Sequence, residues 1–343
     1  MSTRSAKTPT RNRRVNIKEV AREAGVSVAT ISRALQSPER VAAKTLDRVH
    51  AAIQRLSYIP NAQARNLRTA RTRLIVAMVP DIANPFFSEI IRGIEQVAHR
   101  NGYSVLLGDT QYDLQRELAY AQLIPARQVD GLVTLMPHIP RIKVDGQLPI
   151  VNACEYVDDK DITTVSIDNV ASAKTAVEYL LALGHRDIAF IMGREDSPLS
   201  RDRERGYRAA LAEAKVKLNP NLVSRGDFSA ESGIHATELL FAKGEKFTAI
   251  FSSNDEMALG AINAIRARGL RVPEDISVVG FDDIPLARYF DPPLTTIAQP
   301  TMQIGQEAMK LLLEILSGSA PPPRKCVLPA HLVVRKSALG PRS

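Results

Sequence analysis

Seven residues, Ser27 to Arg33, gather three hydroxyls and a guanidinium: Ser27, Thr30, Ser32 and Arg33, with Val28 and Ala29 among them. A guanidinium can donate two hydrogen bonds to guanine O6 and N7, a discrimination of about 1–3 kcal/mol. Hydroxyls suit phosphate oxygens, which position a protein on DNA without specifying sequence. Val28 and Ala29 can press on a thymine methyl but neither donate nor accept. The chemistry on offer is therefore DNA reading, resting mainly on Arg33. Catalytic spacing is missing elsewhere: the chain contains no G-x-S-x-G elbow, H-E-x-x-H pair, P-loop or G-x-G-x-x-G after a strand. Its two cysteines, Cys154 and Cys326, have no zinc or redox spacing. No enzyme, cofactor or metal is expected.

These residues need a scaffold, and the flanking sequence provides one. Ile17, Val20, Ala21 and Ala24 recur at i, i+3, i+4 and i+7, the apolar stripe of a short helix. Asn16 can cap it, with Glu19 reaching back to complete a capping box. Gly25 can end it in the left-handed conformation. Ser27 can then cap a second helix, Val28 to Leu35, whose buried face would be Ile31, Ala34 and Leu35. That spacing turns Arg33 outward. A third helix, roughly Lys44 to Leu56, carries Leu46, Val49, Ile53 and Leu56 on one face, and Ala42 stands where a capping side chain is wanted. Two short helices joined by a Gly-containing turn form a helix-turn-helix. Residues 16–57 are the expected DNA-binding domain, 1–15 a disordered basic arm and 58–73 a hinge and linker.

Charge supports the same reading. Residues 1–73 carry 16 Lys and Arg against 4 Asp and Glu, a net +12, so within a chain of net +8 the remainder is at −4. A basic head displaces counterions condensed on DNA. After residue 73 the periodicity changes. Apolar, β-branched runs alternate with amphipathic stretches: Leu74–Val79, Ser104–Leu107, Gly131–Leu135, Ile150–Asn152, Thr164–Ile167, Ile188–Met192, Ala249–Phe251 and Ile276–Phe281. Near-continuous apolarity fits parallel strands covered on both faces, and the alternation implies βαβ units. The body is an α/β core of two doubly wound lobes, with ligands expected at the strands' carboxyl ends. No apolar run is long enough to span a membrane and no signal peptide is evident, so the expected compartment is the reducing cytoplasm.

The runs "AGVSVATISRAL", "VAAKTLDRV" and "YIPNAQARNLR" resemble the head and hinge of the lactose-repressor (LacI/GalR-type) family of bacterial transcription regulators. "NPFFSEIIRGIE", "VDGLV", "SIDN", "LGHRDIAFIMG", "RERGY", "SSNDEMALGAINAIRARGLRVPEDISVVGFDD", "PPLTTIAQP" and "LVVRKS" follow in the order of that family's ligand-binding core. Residues 16 to 337 are covered, and within the family the chain is most similar to the cytidine-repressor branch. The resemblance implies a core of periplasmic-binding-protein type over 74–337. Its first lobe would span about 74–169 and 299–327, its second about 170–298 and 328–337, with 338–343 a tail. It implies that Val28, Ala29 and Arg33 read bases, and that the hinge becomes helical on the operator. There Asn61, Ala64, Leu67 and Arg68 would meet DNA, Leu67 as a wedge in the minor groove. It implies an effector cleft of Phe86, Phe87, Asp168, Arg203, Phe228, Asn254, Asp282 and Gln299. Asp81 and Asn84 are rim or capping candidates, Asp255 reads as the cap of a helix beginning at Glu256, and His185 as a loop residue.

The expected function is a ligand-responsive transcription regulator, a repressor, binding a roughly palindromic operator as a homodimer. No leucine-heptad extension follows "LVVRKSALGPRS", so a dimer is expected and not a tetramer. The effector would be a sugar or a nucleoside. An activator, or a regulator working with a co-regulator protein, is the alternative. A transported-solute binder is a distant one, since such a protein has no DNA-reading head.

Overall fold

In a computed structural model of the chain, residues 15–58, 71–144, 147–154, 161–319 and 324–342 are described. The positions Asn61, Ala64, Leu67 and Arg68 lie outside the described residues. The chain forms two units, Met1–Ala70 and Arg71–Ser343.

In the first unit, α1 (Ile17–Ala24) opens on a reciprocal capping box. The Asn16 side chain accepts from the amides of Lys18 and Glu19, and the Glu19 carboxylate accepts from the Asn16 amide at 2.9 Å. Gly25, at φ 62°, ends the helix. The second helix, α2 (Val28–Gln36), starts at Ser27, whose hydroxyl accepts from the Thr30 amide at 3.1 Å. The third, α3 (Ala43–Arg55), starts at Ala42 with no side-chain cap. Val20, Ala21, Ala24, Ile31, Ala34, Val49, Ala52 and Tyr58 form the core of this unit. Leu35 departs from expectation: it is 37% exposed, while its neighbour Ala34 takes the inward position. Arg48 of α3 donates to the carbonyls of Ala24 (2.5 Å) and Gly25 (3.0 Å), tying the third helix to the turn between the first two.

The second unit holds two six-stranded sheets. The first contains β1 (Leu74–Val79), β2 (Ser104–Asp109), β3 (Gly131–Thr134), β4 (Ile150–Ala153), β5 (Thr163–Ile167) and, returning late in the chain, β11 (Lys325–Leu328), in the order β11-β5-β4-β3-β1-β2. The second contains β6 (Ile188–Met192), β7 (Val223–Arg225), β8 (Ala249–Ser252), β9 (Ser277–Asp282), β10 (Thr295–Ala298) and β12 (His331–Val333), in the order β12-β10-β9-β8-β6-β7. Every neighbour pair is parallel except β10–β12. The connections β5 to β6, β10 to β11 and β11 to β12 pass from one sheet to the other. Strand order reverses beside β1 in the first sheet and beside β6 in the second, so each sheet has a switch point where crevices open.

The helices between strands are α4 (Pro85–Arg100), α5 (Leu114–Ala121), α6 (Asn169–Ala182), α7 (Pro198–Glu213), α8 (Ala230–Ala242), α9 (Asp255–Ala267) and α10 (Thr301–Ser317). α6 and α7 pack closely because Gly206 has no Cβ; one would fall 2.4 Å from the Val170 carbonyl. Tyr207, on the next residue, stacks on Phe190 (5.0 Å) and donates to the Ile188 carbonyl at 2.8 Å, fixing α7 to the sheet. Strands β1, β3, β4, β5, β6, β8, β9 and β10 are buried along nearly their whole length. The exposed edge strand β2 is different: Leu106 and Leu107 are half-exposed, since one side of an edge strand has no neighbour.

Candidate functional site

The outward face of α2 assembles the groups expected to meet DNA. Ser27, Val28, Ala29 and Arg33 are exposed, Thr30 and Ser32 are half-buried, and Ile31 and Ala34 point into the core. The Ser27 and Thr30 hydroxyls lie 2.9 Å apart, so the capping bond also sets their direction. A valine left 39% exposed beside an exposed arginine on a short helix makes a surface that offers both apolar contact and a donor fork.

In the second unit, the carboxyl ends of β8, β9 and β10 bring together buried polar groups that are distant in sequence. Arg203, on α7, is 2% exposed. Its Nε donates to Asn169 Oδ1 at 3.0 Å, and its Nη1 donates to the Ser253 carbonyl. Its Cζ lies 3.8 Å from the centroid of Phe281, and its Nη2 is 3.9 Å from Asp282 Oδ1. Asp282, at the end of β9, accepts from Gln299 Nε2 at 2.7 Å. Burial pushes the Asp282 carboxyl up to about 7, against the pull of Arg203 and the Gln299 bond. Asn254, after β8, caps α9 by accepting from the Met257 amide at 3.0 Å, and its amide donates to the Phe228 carbonyl at 2.9 Å. Phe228 sits at φ 77°, and its ring packs where a Cβ on Gly193 would stand. The Arg203 guanidinium is met by the Asn169 and Ser253 oxygens and, once Asp282 ionises, by its carboxylate. The group suits a neutral ligand rich in hydroxyls and amines.

The first sheet supplies aromatics. Asn84 caps α4 by accepting from the Phe86 amide at 2.9 Å. Phe86 is buried and Phe87 half-buried, their rings edge to face at 5.3 Å. Contacts also cross between the two lobes. Arg194, after β6, places its Cζ 4.1 Å from the centroid of Tyr112, which follows β2. Arg194 pairs with Asp196 at 2.8 Å and holds that carboxyl below the usual carboxylate range. Within the first lobe, His138, after β3, lies 2.5 Å from the buried Glu117 carboxylate.

Comparison with known proteins agrees with this arrangement. Residues 16–61 match the model of bacterial regulatory proteins of the lacI family, and residues 177–338 match a periplasmic binding protein-like domain. The chain is 42% identical over 325 residues to the HTH-type transcriptional repressor CytR of Escherichia coli (strain K12), covering 94% of this chain and 95% of that protein. It is 35% identical to catabolite control protein A of Priestia megaterium over 94% of this chain and 99% of that one.

The chain belongs to the lacI family.

Among solved structures, the lac repressor dimer bound to operator and the anti-inducer ONPF matches with a TM-score of 0.85 at 32% identity, covering 95% of this chain and all of that one. A complex of the transcriptional regulator CelR with cellobiose matches with a TM-score of 0.71 at 31% identity, over 94% of this chain and all of that one. Like these lacI-family proteins, the chain is a DNA-binding transcription regulator with a two-lobed α/β core. None of its described helices is long and apolar enough to cross a membrane.

Of the expected cleft residues, the structure groups Arg203, Phe228, Asn254, Asp282 and Gln299 in the second lobe. Phe86 and Phe87 stand in the first. Asp168 is placed differently. It is exposed and spends its carboxylate capping α6, accepting from the Ala171 amide at 2.9 Å. It lines a hollow of about 350 Å³ with Ser172, Thr175, Leu328 and His331. Its neighbour Asn169 is the residue that meets Arg203. A wider groove of about 750 Å³ lies between α7 and α8, with Arg201, Glu204, Arg225 and Lys243 on its walls; Arg203, Asn254 and Asp282 do not line it.

One other expectation needs correction. Asn254 caps α9, and Asp255 is the first residue inside that helix, fully buried. His185 is the loop residue expected before β6; it is buried, its ring bridging Thr248 Oγ1 (2.8 Å) and the Leu339 carbonyl (2.7 Å), so it staples the carboxyl-terminal segment to the second lobe. Among the described residues no three His, Cys, Asp or Glu side chains converge to hold a metal.

Proposed function

We propose that the protein is a repressor that binds a pseudo-palindromic operator as a homodimer and is controlled by a nucleoside in the cleft of its core. The observation that carries the DNA half of this reading is the exposed Val28, Ala29 and Arg33 face, set against a packed head core. Arg33 reads one guanine per half-site, and Ser27, Thr30 and Ser32 contact phosphates. The hinge positions Asn61, Ala64, Leu67 and Arg68 complete the contact, Leu67 as a minor-groove wedge.

The protein oxygens already gathered around Arg203 support a neutral effector. Asp282, Asn254 and Gln299 suit ribose hydroxyls and base amines, and Phe86, Phe87 and Phe228 suit the face of a base. Resemblance to the cytidine-repressor branch favours a nucleoside over a sugar. Effector and operator are coupled because each stabilises one arrangement of the lobes, and the coupling is reciprocal. The contact from Arg194 to Tyr112 lies at a place such a rearrangement would touch. No catalytic step is needed, and a DNA target puts the protein in the cytoplasm.

The test is a thermal-shift screen of the protein against nucleosides, nucleobases, pentoses and hexoses. Ligand at 100 times its dissociation constant adds about 2.7 kcal/mol, a shift of several degrees. The expected result is a shift with cytidine or a related nucleoside. A shift with a hexose alone would overturn the nucleoside assignment and leave the regulator standing.

A further inference from the structure

We propose that Asp255 is a positioning residue for the effector response, holding the turn Asp282–Ile284 so that the Asp282 carboxylate faces Arg203 and Gln299. The inference rests on the reading of that group as the effector site.

The turn is costly to form. Asp282 has φ 125° and Asp283 φ 57°, two consecutive residues in the left-handed region without a glycine. Such conformations persist only where the surroundings over-determine them. Three restraints are visible. Asp255 Oδ2 accepts from the Ile284 amide at 2.9 Å, closing the far end of the turn. The Asp283 carboxylate pairs with Arg335 at 2.6 Å. The Gln299 amide donates to Asp282 at both its carbonyl (3.4 Å, from the main chain) and its carboxylate (2.7 Å, from the side chain).

Asp255 is the only one of these restraining groups that also belongs to the helix bearing Asn254. Its Oδ1 accepts from the Thr296 hydroxyl at 2.6 Å, and Thr296 sits opposite Gly280 in the β9–β10 register. Gly280 leaves room for the carboxyl: a Cβ there would fall 2.2 Å from Asp255 Oδ1. One end of α9 thus fixes two distant pieces. Asn254 holds the Phe228 carbonyl and Asp255 holds the Asp282 turn. Among the described residues the Asp255 carboxyl has these hydrogen bonds and no ion pair, and burying it there is costly. Burial and the neighbouring Asp282 push Asp255 well above the usual carboxylate range. Asn keeps the shape and the neutral state: its oxygen can take the Ile284 amide, and its NH2 donates to Thr296 Oγ1, reversing the bond that the Thr296 hydroxyl makes to Asp255.

The experiment uses the full-length protein and compares wild type with Asp255→Asn, Asp255→Ala and Gly280→Ala. Gly280→Ala leaves Asp255 in the chain but drives a methyl into its carboxyl, so it checks the same contact if Asp255→Ala fails to fold. Cytidine affinity and backbone amide hydrogen exchange are both read. The expected result is a cytidine dissociation constant weakened about tenfold or more in Asp255→Ala and Gly280→Ala, from loss of the bonds to a charged or strongly polar group. Asp255→Asn should stay within about threefold of wild type, the spread of a retained bond. Exchange should rise for the amides of residues 282–284 in the two disruptive variants while those of β6 keep wild-type protection. Faster exchange spread evenly through the second lobe would reduce Asp255 to a structural residue and overturn the proposal. So would unchanged exchange at 282–284, or an Asp255→Asn variant as impaired as Asp255→Ala. If wild type ignores cytidine, the nucleoside reading fails, and the exchange data alone still decide whether Asp255 positions the turn.

Discussion

Arg33 in the head and Arg203 in the core are both arginines on helices, and both are proposed to meet a partner. Arg33 stands in solvent on α2, beside an exposed valine. Arg203 is buried on α7, with Asn169, the Ser253 carbonyl, the Phe281 ring and Asp282 around it. The difference follows from what each must bind. Phosphates and base edges arrive with their own counterions and groove water, so a DNA reader can keep its charge hydrated until contact. A buried small-molecule site is removed from bulk water, so its charged groups need partners from the protein or the ligand. Substitution in the head should therefore cost function alone. Substitution in the core should cost function and fold together.

The largest effect is expected from Arg203→Ala. Removing one partner of a buried charged group leaves the others uncompensated, a cost of about 3–5 kcal/mol. Urea unfolding of the core should show that loss, together with an absent effector response, while operator binding by the surviving folded fraction persists. A stability within about 1 kcal/mol of wild type, the effect of an ordinary surface change, would mean that Arg203 is as free as Arg33 and would erase the contrast.

The pH dependence of the core sharpens the comparison. Asp282 keeps its proton in the folded state up to about 7, whereas an unfolded aspartate releases it near its ordinary value of about 3.9. Between those values the folded state holds the extra proton, so stability falls as pH rises from about 4 to about 7. Asp282→Asn should flatten part of that slope and leave the share belonging to Asp255, whose carboxyl burial also raises. Superimposable pH–stability curves for wild type and Asp282→Asn would show that the Asp282 carboxyl does not titrate as its burial requires.

Arg33→Ala tests the other side. The expected loss is about 1–3 kcal/mol of discrimination at one guanine per half-site, seen as a relaxed position in a binding selection. The unfolding midpoint should not move, because Arg33 is exposed and outside the head core. Loss of stability with unchanged base preference would invert its role.

The two regions also differed in how far the residues alone could be followed. The head was legible nearly to the side chain. Its helices are short and locally capped, so the i, i+3, i+4 spacing decides what faces inward, and Asn16, Gly25 and Ser27 mark the boundaries. Leu35 escaped because burial at a helix end depends on how far the neighbouring helices reach. In the core, continuous apolar runs announced two parallel sheets but not the exposed edge at β2, since an edge is a property of topology. The site was harder still. The pairs Asp168–Asn169 and Asn254–Asp255 each put two short polar residues at a helix start. At both starts the first residue of the pair caps and the second is buried: Asp168 and Asn169 at α6, Asn254 and Asp255 at α9. Either residue type can cap, so composition does not say which of the two it is until the helix's first turn is located.

The smallest effect concerns the one weak joint in the head. α3 begins at Ala42, with φ −57°, ψ 136° and no side chain to accept from the first-turn amides. The helix compensates through its far contacts: Arg48 reaches the Ala24 and Gly25 carbonyls, and Arg55 pairs with Glu23. Those bonds anchor its middle and end but leave its start uncapped. Ala42→Ser supplies the missing acceptor on a backbone that already leaves the helical region, and should stabilise the head by about 1 kcal/mol. In calorimetry of the protein the gain should appear in the head transition and leave that of the core unmoved. Operator affinity should rise only to the extent that folding of the head limits binding. If affinity climbs by the same 1 kcal/mol, the head of the free protein is partly unfolded and DNA completes it. If stability climbs and affinity does not, the head is folded before contact and Arg33 is presented ready-made. In that respect the head would resemble the core, where Arg203 and Asp282 already face each other.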